Sequence, residues 1–358
     1  MNGVIQFLLK LFRLLTKVSG VKKDTIAVIA THNIGDSIFT IPAIKYLVQK
    51  FETSNFVIVC FPNNVLVFKS AFGDKIKLLV LDPKEYLLGG RFAPGHCRKM
   101  FKKLNPTKIY DTLGTIKSFS LFFTTRAEQI FGVSDKKFIT YYDHAIYLGD
   151  YQHLIDGYLA AAGAEKNVDG STKVFEIKSD RDNRVLINPF GGWKAKEWNF
   201  YKFVKLFKLL APEYNVSFVF QKDQVAEDVL ITFSDEGIAY IETETLDELF
   251  NLIYNCGAFI GNDTGPLYIA NMLGSPTFTI YGPTNPSFSK PFGDKHEHIF
   301  KKIKCSPDPD KQYCYTFAGR KGCPAFECMN LLDVEVVFKK VKLFLKNNGV
   351  LSIDETNE

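Results

Sequence analysis

Several things are missing from this 358-residue chain, and each absence closes a door. No GxGxxG dinucleotide fingerprint and no GxxxxGK[ST] phosphate loop occurs, which argues against a nicotinamide oxidoreductase and a P-loop enzyme. Internal repeats and low-complexity segments are absent too, which excludes solenoids and collagen-like chains. Neither sign of charge dominates: Lys+Arg 44 against Asp+Glu 39 leaves a net charge of +5, too mild to mark a nucleic-acid binder. Such a surplus suits a protein that handles phosphorylated or other anionic substrates. Charged residues at 23% and apolar residues at 46% exclude a disordered tail and a polytopic membrane protein. At roughly 150 residues per domain, the length predicts two domains.

Cysteine is sparse and odd in number, at seven. No secretory signal precedes the seven, so a reducing compartment is expected, where disulfides seldom persist. Cys60, Cys97 and Cys256 sit in or near apolar stretches and read as small buried hydrophobes. Cys305, Cys314, Cys323 and Cys328 cluster late in the chain. They have zinc's ligand number but lack its paired C-x2-C spacing. A redox-sensitive surface loop is the preferred reading, with a metal site the alternative; no metal cofactor is expected. His296-Glu297-His298 is not an HExxH motif and reads as part of a charged surface run.

What is present begins with an amphipathic N-terminus. Gln6, Lys10, Arg13 and Lys17 recur at spacings of four, three and four, while Val4, Ile5, Phe7, Leu8, Leu9, Leu11, Phe12, Leu14, Leu15 and Val18 fill the remainder. Lys10 and Arg13 interrupt any spanning or secretory segment. Residues 1–20 are therefore expected to form an interfacial helix or a helix whose apolar side packs on its own domain or a second subunit.

Strand-like runs then alternate with helical ones, which implies parallel sheets with right-handed crossovers. Thr25–Ala30, Phe56–Phe61, Ile76–Val80 and Lys108–Thr112 read as strands of a first unit, 21–165, closed by a helix at His153–Ala162 with Gly163 as its stop. Residues 166–184 are polar and turn-rich and read as the linker. Alternation restarts in 185–346, with strands at Val185–Asn188, Val216–Phe220, Ala258–Ile260 and Thr277–Tyr281, and ends in a helix at Val334–Lys346. Residues 347–358 read as a tail. The expected class is α/β: two facing Rossmann-like units with a ligand cleft at their strand ends.

Three constellations carry chemistry. In HNIGDSIFTIP, Gly35 permits a tight turn and Asp36 reads as a helix cap or a general base. In NPFGGWKAKEW, Gly191 and Gly192 allow close backbone approach, and Lys194 and Lys196 precede a helix start that suits an anion. In FIGNDTGPLYIANMLGSPTFTIYGPTNP, Asp263, Thr264 and Gly265 stand directly before a helix that begins near Pro266. A second turn, Gly282-Pro283-Thr284, follows the next strand. Free N–H groups and the Thr264 hydroxyl would seat a diphosphate there.

Four blocks in order, GDSIFTIPAIKYL, KIYDTLGTIKS, KEW and NDTGPLYIANMLGSPTFTIYGPTNP, resemble glycosyltransferase family 9, the ADP-heptose lipopolysaccharide heptosyltransferase type with the GT-B fold. The likeness covers roughly residues 25–340, and the stretch from Cys314 to Cys328-Met329 shares it. It implies a metal-independent transfer of heptose or a related sugar from a nucleotide-diphosphate donor, ADP-linked, to a lipopolysaccharide core or another surface glycan. In that family's terms Asp36 is the catalytic base and Lys196 neutralises phosphate. Asp263, Thr264, Gly265 and Gly191 hold the donor, and Asp223 meets its ribose. Gly35 and Lys117 lie on the acceptor side.

The implied location is the cytoplasm, peripherally on the inner face of a bacterial inner membrane, with membrane contact through residues 1–18. Three positions depart from the family: Leu267-Tyr268 where a His is usual, Phe39 where heptosyltransferases often have His, and Asn199 where Pro is usual. These open the donor sugar to a non-heptose. The rival readings are a nucleotide-sugar-binding protein that has lost transfer and, further off, a Rossmann oxidoreductase.

Overall fold

Six short strands in each half of the chain settle into the same arrangement. The structure is a computed structural model describing residues 2–17, 24–52, 54–88, 90–165, 169–175, 181–314, 323 and 325–356. It contains two compact units, Met1–Thr172 and Lys173–Glu358. Of the expected linker 166–184, residues 166–168 and 176–180 lie outside the described residues.

The first unit holds β1 (Thr25–Ile29), β2 (Asn55–Cys60), β3 (Ile76–Val80), β4 (Lys108–Asp111), β5 (Gln129–Val133) and β6 (His144–Ile146). They form one parallel sheet in the order β3-β2-β1-β4-β5-β6. The second holds β7 (Val185–Asn188), β8 (Val216–Gln221), β9 (Tyr240–Thr243), β10 (Ala258–Asn262), β11 (Thr277–Tyr281) and β12 (His296–Phe300). These are again all parallel, ordered β12-β11-β10-β7-β8-β9. Counted from each unit's own first strand, the two orders are identical.

Central strands are buried along their whole length: β1, β7, β10 and β11 have no exposed residue. Helices on both faces explain why they read as continuous apolar runs rather than alternating ones. In the second unit, Phe207, Phe218, Phe233 and Phe200 stack between sheet and helices. Helix starts carry their own caps, such as Thr115, whose hydroxyl accepts from the Ser118 N–H at 3.1 Å while the Ser118 hydroxyl accepts from the Thr115 N–H at 3.0 Å. Residues 347–356 do not form a free tail. The helix Val334–Asn347 is followed by Ile353–Thr356, and the Ile353 N–H donates to the Glu213 carbonyl at 2.8 Å.

The N-terminal helix, α1 (Asn2–Thr16), packs on the first unit in an unexpected sense. Leu9 and Phe12 join the core, with Phe12 stacked on Phe123 at 4.5 Å. The rest of the contact is polar. The Arg13 guanidinium is buried, donating to the Ala127 carbonyl at 2.9 Å, the Glu128 carbonyl at 3.0 Å and the Asp143 carboxylate. The Gln6 amide donates to the Lys136 carbonyl at 2.9 Å. Part of the charged stripe therefore faces the domain, and most of the leucines face outward.

Candidate functional site

In an open parallel sheet, ligands bind beyond the carboxyl ends of the strands where the strand order reverses. In the second unit that point lies between β7 and β10, and the loops after these strands carry Gly191, Lys196, Asp263, Thr264 and Gly265. The Lys196 ammonium donates to Asp263 Oδ2 at 2.7 Å and lies 4.9 Å from the centre of the Trp193 ring. The other carboxylate oxygen, Oδ1, accepts from the Tyr268 hydroxyl, which stands 3.5 Å from the Tyr281 hydroxyl. Burial and the Asp263 charge hold the Tyr268 phenol well above its usual range, so it stays a donor. Both oxygens of Asp263 are thus engaged within the protein.

Asn262 locks the two loops together. Its carbonyl oxygen accepts from the Trp198 N–H at 3.0 Å, and its amide donates to the Pro189 carbonyl at 2.8 Å. Space at Gly191 is tight, since a Cβ there would stand 3.0 Å from the Glu197 side chain and in ordinary contact with Thr264 at 3.5 Å. The Thr264 hydroxyl is buried with no hydrogen-bond partner in the structure, directly before the eight-residue helix Gly265–Met272. An unpaired buried hydroxyl, unused helix N–H groups and a fixed ammonium make an anion seat. Lys194 is not part of it; exposed, it pairs with Glu197 at 2.8 Å in a 3-10 turn. Asp223 lies in the turn after β8, exposed and left-handed at φ 65°, one strand from the switch point.

In the first unit the order reverses between β1 and β4. Asp36 lies in the first turn of α2 (Ile34–Phe39), half-buried, and its side chain caps nothing. Gly35 sits in the same helical turn and is not among the positive-φ glycines, so the expected tight turn is replaced by helix. Next to it, the Thr112 hydroxyl donates to the Ile29 carbonyl at 2.7 Å and accepts from His32 Nε2–H at 2.8 Å. Burial lowers the pKa of His32, against an opposing pull from the Asp36 charge.

Asp111 ends β4 fully buried, accepting from Leu113 N–H, Ser118 and Tyr142 at 2.9–3.0 Å. Burial outweighs these bonds and lifts it to about 6. Gly132 sits against it; a Cβ there would fall 2.0 Å from the Asp111 carbonyl. Lys117 is occupied elsewhere, donating to the Tyr86 and Leu87 carbonyls at 2.9 and 3.1 Å.

One expectation about a titratable cluster changes, that for His296. All seven cysteines are free thiols. Cys305, Cys314, Cys323 and Cys328 line one cavity of about 20 Å³ beside Gly282 and Pro283, Cys314 buried and the other three half-buried, while residues 315–322 of that loop lie outside the described residues. Cys314 N–H bonds the Pro283 carbonyl at 3.0 Å. Among the described residues no group of three or more His, Cys, Asp or Glu side chains is arranged to hold a metal ion. His296 belongs to β12 rather than a charged surface run. Its Nε2 accepts from the Asn271 amide and its Nδ1–H donates to Thr277, both at 2.8 Å. Burial lowers it to about 4.

Sequence reasoning found the loop positions but missed Asn262, Tyr268 as a partner, Tyr281 and Asp111. The adjacency of Asn262 to Asp263 was the available signal. The departures also find local reasons. Asn199 caps the helix Phe200–Leu210, accepting from the Tyr201 N–H at 2.9 Å, and Phe39 is a buried core residue set edge-on to His153.

Two parallel α/β units with this strand order place the chain in the GT-B class by fold. It belongs to glycosyltransferase family 9 (heptosyltransferase), whose sequence profile matches residues 98–316. A 108-residue stretch is 33% identical to lipooligosaccharide heptosyltransferase 2 of Haemophilus influenzae, covering 28% of this chain and 31% of that protein. The matched stretch thus spans about a third of that relative's length. The solved structure of Escherichia coli ADP-heptose lipopolysaccharide heptosyltransferase II superposes with a TM-score of 0.67 at 16% identity, covering 90% of this chain and 99% of that one. The family 9 glycosyl transferase of Veillonella parvula gives 0.72 at 17% identity, covering 92% and 100%.

Proposed function

We propose that the chain transfers a sugar, heptose or a close relative, from an ADP-linked donor to a lipid-linked surface glycan such as a lipopolysaccharide core. The Lys196 ammonium, held by Asp263 beside the unpartnered Thr264 hydroxyl at the second unit's switch point, carries this reading. The family membership and the heptosyltransferase names of the relatives support it. The donor diphosphate sits on the Lys196 N–H groups that Asp263 leaves unused, the Thr264 hydroxyl and the first N–H groups of Gly265–Met272. Gly191 admits it closely, and Asp223 takes the ribose.

Asp36 removes the acceptor hydroxyl's proton, the resulting oxygen bonds the anomeric carbon, and the bond from that carbon to the diphosphate breaks. Lys196 and the helix N–H groups meet the charge on the departing nucleoside diphosphate, so that no metal is called on for it. Asp263, with both oxygens engaged, positions Lys196 rather than touching the donor. Gly35 and Lys117 shape the acceptor side only through the backbone they order.

The test is nucleoside diphosphate release from a panel of ADP-, GDP-, UDP- and CMP-sugars, preceded by a thermal-shift screen with the same compounds. A matching nucleotide raises the melting temperature as RT ln(1+[L]/Kd) requires. Stabilisation by ADP and ADP-heptose with release on a glycolipid acceptor is expected. Binding without turnover on any acceptor extract would leave a binding protein, and unchanged turnover in Asp36→Asn would remove the assigned base.

A further inference from the structure

α1 is amphipathic in the wrong sense for a helix that only completes its own domain. Val4, Phe7, Leu14 and Leu15 are 64–70% exposed, and Ile5, Leu8 and Leu11 are 44–55% exposed. Val4, Leu8, Leu11 and Leu15 follow one another at spacings of four, three and four, so they form a continuous outward stripe. The residues turned inward include Gln6, Arg13 and Thr16, the groups that a simple hydrophobic docking would leave in water. Arg13 fixes this orientation. Arg13 is 5% exposed, and three acceptors, Ala127 O, Glu128 O and Asp143, surround its guanidinium. Rotating the helix to hide its leucines would break all of these bonds. The outward apolar stripe is therefore built in, and a stripe of this kind marks an interaction surface.

Charge decides the occupant. Residues 2–17 contain no Asp or Glu, and exposed Lys10 and Lys17 lie along the stripe's edge. Arg126, Lys136 and Lys137, exposed as well, belong to the segments on which α1 rests. Asp143, which faces α1, is already covered by Arg13 and Lys17, and the cations outnumber Glu128 and Asp135 on the same segments. An apolar stripe rimmed by cations matches the boundary between acyl chains and anionic headgroups. Fifteen residues at 1.5 Å each give a helix of about 22 Å, short of the roughly 30 Å a bilayer core requires. Among the described residues no helix is long and apolar enough to cross a membrane. α1 lies on the surface or nowhere.

We propose that the outward face of α1 docks the protein onto an anionic lipid bilayer, with Arg13 and Asp143 holding the helix in the orientation that exposes it. This deepens the reading of the acceptor as lipid-linked, since the acceptor and the docked protein then share one surface. Its test does not depend on turnover.

The full chain is floated with phosphatidylcholine vesicles and with vesicles that also contain phosphatidylglycerol. Expected is recovery at least about tenfold higher with the anionic vesicles, falling steeply with salt. The triple variant Phe7→Ser/Leu11→Ser/Leu14→Ser changes only exposed side chains; it should lose about tenfold in recovery with an unchanged melting temperature, and Lys10→Glu should lose a few-fold. Equal recovery of wild type and triple variant, or no recovery with either vesicle, overturns the proposal. So does a solution dimer dissolved by the triple variant in a chain that ignores vesicles, which would assign the face to a second copy. Nucleoside diphosphate release on a detergent-soluble acceptor, measured alongside, fails only if the transferase reading itself fails.

Discussion

The two units are the same sheet built twice, yet they treat the same topological position in opposite ways. Asp111 ends the fourth strand of the first unit, and Asp263 directly follows the fourth strand of the second. Each borders the point where strand order reverses. Asp111 is buried among neutral donors, without a cation, and rises to about 6. Asp263 is buried against Lys196 at 2.7 Å. The loops after the first strands diverge in parallel: one carries the Asp36 carboxylate and the other the Lys196 ammonium. Topology fixes where chemistry happens, and loop residues fix its sign. In the proposed transfer, one unit accepts a proton and the other holds an anion.

The sharpest way to break that contrast is Asp36→Asn. Turnover should fall about 10²- to 10⁴-fold, the range for a lost general base, while the nucleotide-induced thermal shift stays intact. Lys196→Ala should abolish that shift and destabilise the second unit by about 3–5 kcal/mol in urea unfolding, because Asp263 is left charged and buried. Adding Asp263→Ala should recover most of the stability and none of the turnover.

The units should also answer pH in opposite directions. Asp111 favours the protonated form when folded, so its contribution is full below about pH 4 and is lost as pH rises through about 6, some 3 kcal/mol in all. His296 is neutral when folded, so its contribution is full above about 6.5 and is lost as pH falls towards about 4, by a similar amount. Hydrogen exchange resolved to each unit across pH 4–7 should show the two slopes, with Asp111→Asn and His296→Gln each flattening its own. Smallest is Tyr268→Phe, expected to cost about 1–2 kcal/mol through the bond it removes from Asp263. A measurable drop in donor affinity should accompany it, since Asp263 then holds Lys196 less firmly.

Legibility in the sequence followed burial. Covered strands such as Val185–Asn188 and Thr277–Tyr281 were readable to the residue because sheets covered on both faces demand apolar runs, and the edge strand Ile76–Val80 was readable from its own IKLLV run. The strands that escaped were β6, β9 and β12, edge strands whose His, Glu and Thr side chains break the run, and β5, where Gly132 reads as a turn. The loops carrying Asp36, Lys196 and Asp263 stood out because small and charged residues followed apolar runs. The partners Tyr268 and Asn262 did not, because their roles depend on a hydroxyl and an amide meeting side chains that only the packed helix and strand bring near. The orientation of α1 was the largest surprise: periodicity shows that a helix has two faces, and the acceptors at Ala127, Glu128 and Asp143 decide which one turns in.

That anchoring has a practical side for anyone trimming the protein. Deleting the greasy leader up to Lys17 removes the Arg13 and Lys17 side chains that donate to Asp143, leaving the Ile130 N–H, and uncovers the aromatic shelf of Phe123 and Tyr141. A shortened version would trade one sticky patch for another and carry a stranded carboxylate as well. Softening the leader in place, at Phe7, Leu11 and Leu14, is the gentler route to a well-behaved sample.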